Sequence, residues 1–147
     1  MSAYRTVVVG TDGSDSSLRA VDRAGTIAGA NAKLIVASAY LPQADDPRAA
    51  DALRDESYKT HGAAPIYAIL QEARERARAA GAKNVEERSI VGAPVDALVG
   101  LAEDVGADLL VVGNVGLSTI AGRLLGSVPA NVSRRAKVDV LIVHTTT

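Results

Sequence analysis

The stretch Gly113–Val128, GNVGLSTIAGRLLGSV, holds the residues of this chain best suited to chemistry. Gly113, Gly116 and Gly126 can take positive φ and leave space beside the backbone. Ser127 stands where a helix would begin, and a helix N-terminus carries unpaired N–H groups and the positive end of the dipole. Glycines leading into such an end form a cradle of N–H groups for a phosphate. The same residues also suit a plain loop that needs glycine for its turns and serine for a cap. The second candidate is Asp12, in GTDGSDSS, directly after the β-branched run RTVVVG. There a carboxylate can accept from a sugar hydroxyl or meet a phosphate-bound metal. The TDGSDSS context equally suits a turn or a helix cap.

Other chemistry finds no footing. GxxxxGK[ST] is absent, so this is not a P-loop NTPase, and VGTDGS is not the dinucleotide motif GxGxxG. TDGSDSS only faintly resembles the SGGxDS loop of ATP pyrophosphatases, because Asp12 replaces a glycine there and would crowd a pyrophosphate. A receiver domain needs an Asp after the third strand and a Lys after the fifth. Here Val91-Gly92-Ala93 and His144-Thr145 stand in those places. His61 and His144 lack a partner at metal-ligand spacing and an evident Ser/Asp relay, so both read as exposed side chains. Arg134, Arg135 and Lys137 read as a cluster complementing a helix C-terminal dipole.

The elements that must position Asp12 and the glycine loop follow from the hydrophobic pattern. Arg5–Gly10, Lys33–Tyr40, Asp108–Gly113 and Val138–His144 are short, rich in Val, Ile and Leu, and do not alternate, which predicts buried parallel strands. Asn84–Val91 is more polar, and its EER centre suits an edge strand. Between them lie helical stripes. One contains Leu18, Val21, Ala24 and Ala28. A second contains Ile66, Ile69, Leu70, Ala73, Ala77 and Ala80, with Pro65 at its start and Gly81 at its stop. Its opposite face, Glu72, Arg74, Glu75, Arg76 and Arg78, reads as solvated. A third runs from Pro94 to Gly106 and a fourth from Ser127 to Ala136. The resulting order βαβαβαβαβ predicts an α/β fold, a parallel sheet with helices on both faces, in which ligands meet the carboxyl ends of the strands. Two connections are long: the charged loop 41–64 and the nearly uncharged loop 113–126.

The spacing Gly113-x2-Gly116-x9-Gly126-Ser127 resembles the nucleotide-binding signature of ATP-binding universal stress proteins. The likeness extends over nearly the whole chain, with TVVVGTDGSDSSLRAVDRA similar to that family's opening and LLGSVPANVSRRAKVDVLIVH to its close. The resemblance implies a single domain over residues 1–147 with a five-stranded sheet in the order 3-2-1-4-5, like that of adenine nucleotide α-hydrolases. It also implies the ligand contacts. Gly113, Gly116, Gly126 and Ser127 would meet phosphate and ribose, with the backbone of Asn114 and Val128 nearby. Gly10, Thr11 and Asp12 would lie beneath the nucleotide, with Asp12 toward the ribose or a phosphate-bound Mg²⁺. Ala39 would offer its backbone to the adenine edge. In the family the final strand, here Val138–His144, pairs with its copy in a homodimer, which also resolves the liability of an apolar edge.

One departure bears on the ligand. Many ATP-binding members carry Lys or Arg just after the second glycine, whereas Leu117-Ser118-Thr119-Ile120 follows Gly116 here and the first cation is Arg123. Backbone N–H groups hold one phosphate well, but a triphosphate is usually met by Lys, Arg or Mg²⁺. The expected ligand is therefore cyclic AMP or AMP at least as much as ATP. A non-catalytic binding module is expected. The alternative is a slow ATPase, or self-phosphorylation on a loop Ser or Thr, for which Asp12 is the one nearby general base.

Composition supports these readings by exclusion. Apolar residues make up 48% and charged residues 22%, as in an ordinary globular domain. Lys and Arg number 16 against 17 Asp and Glu, so the basic surplus of a nucleic-acid binder is missing. Four Tyr are the only aromatics, too few for base-stacking platforms. The absence of Cys removes thiol chemistry and Cys-ligated metals. Neither a membrane span nor a secretory start is evident, so a cytoplasmic protein is expected. With 27 Ala, 18 Val and no Phe or Trp, the core must be thin, and backbones can approach closely.

Overall fold

Non-alternating aliphatic runs become strands because both faces of each must be covered. In the computed structural model, which describes residues 4–40, 63–114 and 127–144, they form one sheet. The elements in chain order are β1 (Thr6–Gly10), α1 (Asp15–Ala28), β2 (Lys33–Tyr40), α2 (Ala63–Ala80), β3 (Asn84–Val91), α3 (Pro94–Asp104), β4 (Leu109–Gly113), α4 (Ser127–Arg135) and β5 (Asp139–Val143). All pairings are parallel, and the strand order is β3-β2-β1-β4-β5. Right-handed crossovers then dictate where the helices go. The chain first winds from β1 toward β3, then jumps back and winds from β4 toward β5, so the two pairs of helices fall on opposite faces. Val7, Val9, Leu34, Val36, Leu109 and Val111 point to α1 and α2. Val8, Ile35, Leu110 and Val112 point to α3 and α4.

The predicted helix stripes are the buried ones: Leu18, Val21, Ala24 and Ala28 on α1, and Ile66, Leu70, Ala73 and Ala77 on α2. The thin core shows most clearly where α1 crosses α2. A Cβ on Gly25 would lie 2.7 Å from the Ala77 carbonyl oxygen and 3.0 Å from the Ala80 Cβ. Gly81 and Gly106 take φ of 126° and 67° as the chain leaves α2 and α3. Helix α2 begins two residues before Pro65, which remains in the first turn, where its missing N–H has no intrahelical partner to lose.

Two expectations are corrected. The polar face of α2 is not merely solvated: the Arg76 Nε donates to Asp22 Oδ1 of α1 at 3.0 Å, and Arg74 meets Glu87 of β3 at 3.3 Å. Likewise Arg135 pairs with Asp96 and Lys137 with Glu103 (3.8 Å), both on α3, so these cations bridge to a neighbouring helix as well as facing a dipole. At the polar edge, β3 carries Glu86 between Lys33 (3.0 Å) and Arg88 (2.8 Å). These two hydrogen-bonded cations outweigh partial burial and hold the Glu86 carboxyl below its ordinary value.

The predicted strands begin one residue early at Arg5 and Asp108, and the reason is a side chain acting as a partner for the backbone. The Asp108 carboxylate accepts the Arg5 N–H (2.9 Å) and the Thr6 N–H (3.0 Å) where the β1–β4 ladder starts. Burial works against its charge, but these backbone donors prevail and lower its pKa. A carboxyl whose pKa falls on folding adds stability above its unfolded pKa and loses it as the pH drops through the folded value. Asp108→Ala should therefore cost about 1–2 kcal/mol at neutral pH. In urea unfolding the deficit should shrink below the ordinary Asp pKa of about 3.9. A deficit independent of pH would assign the effect to packing instead.

Candidate functional site

The reversal of winding lies between β1 and β4, so their carboxyl ends, with that of β2, enclose the crevice where such sheets bind ligands. Strand β1 stops at Gly10, paired with Ala37 of β2, and the Thr11 N–H still reaches the Ala37 carbonyl at 2.9 Å. Strand β2 runs on for three residues beside β3, as far as Tyr40, whose carbonyl takes the Gly92 N–H at 2.8 Å. Backbone groups of a strand alternate sides with period 2. Because Ala37 faces β1 and Tyr40 faces β3, the Ala39 N–H and C=O face the space that β1 has vacated. That is the place expected for Ala39, and a small side chain there keeps the approach open.

The turn between β1 and α1 is held by its own polar groups. Ser14 caps α1, accepting the Ser17 N–H at 3.2 Å, and Asp12 Oδ1 accepts the Ser14 N–H at 2.9 Å. The Ser17 hydroxyl lies 2.8 Å from that of Thr11 and accepts the Asp12 N–H at 3.2 Å. Thr11 and Ser17 are each only 2% exposed. The Thr11 side chain, expected beneath the ligand, is thus turned into the turn itself. Gly13 takes φ 85°, and a Cβ there would stand 2.9 Å from Ile69 of α2, so only glycine lets the turn sit against that helix. Asp12 fits the turn reading, because Oδ1 closes the turn. Its other oxygen, Oδ2, is buried and has no hydrogen-bond partner among the described residues.

On the other side of the crevice, β4 ends at Gly113, paired with Val143 of β5. The Asn114 N–H reaches the Val143 carbonyl at 2.8 Å, and its side-chain amide lies 3.3 Å from the exposed His144 Nδ1. His144 is exposed, as its lack of a partner at metal-ligand spacing predicts. The pair is visible only once the β4–β5 register is known. Ser127 and Val128 open α4 as expected. Gly116 and Gly126 lie outside the described residues, as does His61. The structure thus brings Gly10, Asp12, Ala39, Gly113 and Asn114 to one end of the sheet. A separate cavity of about 450 Å³, lined by Tyr4, Ile27, Leu109, Asp139, Val140 and Leu141, lies at the amino ends of β4 and β5, away from these groups.

The model of the universal stress protein family matches residues 3–144. The chain belongs to the universal stress protein family. Among its relatives in that family, universal stress protein Rv1636 of Mycobacterium tuberculosis is 82% identical over 146 residues, covering 99% of this chain and all of that one. A crystal structure of a universal stress protein in complex with cAMP is 68% identical and matches with a TM-score of 0.75, over 99% of this chain and 100% of that one. A more distant universal stress protein, from Archaeoglobus fulgidus, shares the fold at 22% identity and a TM-score of 0.69, over 95% of this chain and 97% of that one. The universal stress protein signature seen in the sequence therefore belongs to a chain with the family's sheet order.

Proposed function

We propose that this chain binds an adenine nucleotide with one phosphate charge, cyclic AMP or AMP, at least as well as ATP. It would act in the stress response as a non-catalytic sensor or sequestering module. The observation that carries this reading is Asp12 Oδ2, a buried carboxylate oxygen without a partner among the described residues, at the carboxyl end of β1. Such an oxygen is costly unless a donor meets it, and a ribose hydroxyl is a donor. The Ala39 backbone offers one donor and one acceptor to the adenine edge. Phosphate goes to the backbone of Gly113, Gly116, Gly126 and Ser127, with Val128 and Asn114 nearby, the Asn114 N–H being held by the Val143 carbonyl. Gly10 and the backbone of Thr11 form the floor, with the Thr11 side chain turned away into the β1–α1 turn. The relative crystallised with cAMP supports the same ligand class.

Mg²⁺ fits here in a limited way. Among the described residues no group of three His, Cys, Asp or Glu stands ready to hold a metal. Asp12 supplies one oxygen, so the ion would arrive with a triphosphate that provides other ligands. Its chemistry would be to neutralise phosphate charge beside Asp12. Titration calorimetry with cyclic AMP, AMP and ATP, with and without Mg²⁺, tests the reading. The two monophosphates should bind as tightly as ATP or more tightly, and a clear preference for Mg-ATP would overturn it.

The working unit in this proposal is one domain over residues 1–147, cytoplasmic, without a nucleic-acid partner, and a homodimer through β5. Support for the dimer comes from the edge itself: β5 is terminal in the sheet, and Ile142 is 42% exposed. Among the described residues no helix is long and apolar enough to cross a membrane. Light scattering of the calorimetry sample should give twice the chain mass, and the mass of a single chain at micromolar concentration would rule the dimer out.

A further inference from the structure

The hydroxyls under the β1–α1 turn form one connected set of hydrogen bonds. Ser17 Oγ can donate to the Ser14 carbonyl at 3.0 Å. It accepts the Asp12 N–H at 3.2 Å and pairs with the Thr11 hydroxyl at 2.8 Å, where either oxygen can be the donor. Thr11 Oγ1 also accepts the Gly13 N–H at 3.1 Å. With the Ser14 N–H on Asp12 Oδ1 and the Ser17 N–H on Ser14 Oγ, the N–H groups of Asp12, Gly13, Ser14 and Ser17 are all engaged inside the turn. A helix start normally offers such groups to anions. This one turns them inward and presents one acceptor, Asp12 Oδ2. The placement of that oxygen depends on two anchors, Oδ1 on Ser14 and the Asp12 N–H on Ser17.

We propose that Ser17 is a positioning residue: its buried hydroxyl, coupled to that of Thr11, holds the Asp12 turn so that Oδ2 meets a ribose hydroxyl. This rests on the nucleotide reading above. Ser17 is 2% exposed and lies beneath the turn, so it acts through Asp12 and not on the ligand. Removing its hydroxyl leaves the Asp12 N–H and the Thr11 hydroxyl without their shared partner. The turn then relaxes, and the N–H groups it had engaged become available. The loss should fall on recognition of the sugar more than on overall binding.

The test compares cyclic AMP, whose one free ribose hydroxyl is the 2′-OH, with 2′-deoxy cyclic AMP by calorimetry. The wild-type protein should favour the ribonucleotide by about tenfold or more, the scale of a hydrogen bond to a charged acceptor. In Ser17→Ala the preference should fall below about threefold, while affinity for the deoxy ligand stays within about threefold of wild type. Thr11→Ser, which keeps the hydroxyl, should retain the preference. If Ser17→Ala does not fold, Thr11→Val breaks the same coupling with little change of shape and carries the same expectation. A preference that survives in Ser17→Ala overturns the proposal, and so does an equal loss of affinity for both ligands. Wild-type binding of both ligands without preference overturns this inference and leaves the proposed function standing. Wild-type binding of neither removes both.

Discussion

Asp12→Asn should lower the affinity for cyclic AMP by about 10- to 100-fold and leave the stability of the fold within about 1 kcal/mol of wild type. The amide keeps an oxygen for the Ser14 N–H, which Oδ1 now accepts at 2.9 Å, so the turn and the cap of α1 survive. The other oxygen becomes an NH₂ group, which cannot accept a ribose hydroxyl. Two effects on stability oppose each other. Losing a negative charge at the start of α1 forfeits about 0.3–1 kcal/mol of favourable dipole interaction. Replacing a carboxylate oxygen that is buried without a hydrogen-bond partner among the described residues by a neutral amide relieves part of its burial cost, which works the other way. Calorimetry and thermal melting of the same preparation separate binding from folding. A loss of affinity that appears only together with a lower melting temperature would make Asp12 a structural residue.

Gly25→Ala should destabilise the protein by about 1–2 kcal/mol, against the usual direction for a helix interior. Replacing glycine by alanine within a helix normally gains up to about 1 kcal/mol. At Gly25 the new methyl would stand 2.7 Å from the Ala77 carbonyl oxygen, a backbone atom that cannot step aside alone. Helix α2 would have to move away from α1, and overpacking of that kind costs about 1–3 kcal/mol. The Asp22–Arg76 pair bridges the same two helices and would be strained with them. Gly100 of α3 is the control, since a Cβ there meets nothing within 4 Å. Gly100→Ala should hold stability level or raise it. Melting temperatures should therefore move in opposite directions, by about 2–4 °C per kcal/mol for a chain of this size. If Gly25→Ala melts higher than wild type, the close helix crossing is wrong.

Some of this architecture was legible in the residues and some was not. Non-alternating Val, Ile and Leu mark the buried strands β1, β2 and β4, and the EER centre of Asn84–Val91 marks an edge. The same aliphatic pattern misleads at Val138–His144, where β5 is the other edge and only Val143 is buried, because the pattern does not say what covers a strand. The order of the strands is not written in their periodicity and came from the family resemblance. Helical spacing gave α2 an apolar and a polar face, but it says which way Arg74 and Arg76 point and not what they meet. Their partners, Glu87 and Asp22, come from tertiary approach. Asp12 is singled out as a candidate by its place after a strand. The Thr11–Ser17 hydroxyl pair is not, since two residues six apart across a turn share no periodic relation. Asn114 and His144, thirty positions apart, meet only because Gly113 pairs with Val143.

The two rims of the sheet are unlike, and that difference sets how far association could go. The β3 rim bears the Lys33–Glu86–Arg88 charges, which resist the approach of another backbone. The β5 rim is aliphatic in Val140, Leu141 and Ile142, all partly or largely open to solvent. A sheet built this way has one adhesive end. Two copies that join through it consume both adhesive ends and leave a charged rim on each outer side. In the dimer proposed above, the pairing would be self-terminating, a closed two-fold that leaves no uncharged sheet edge among the described residues.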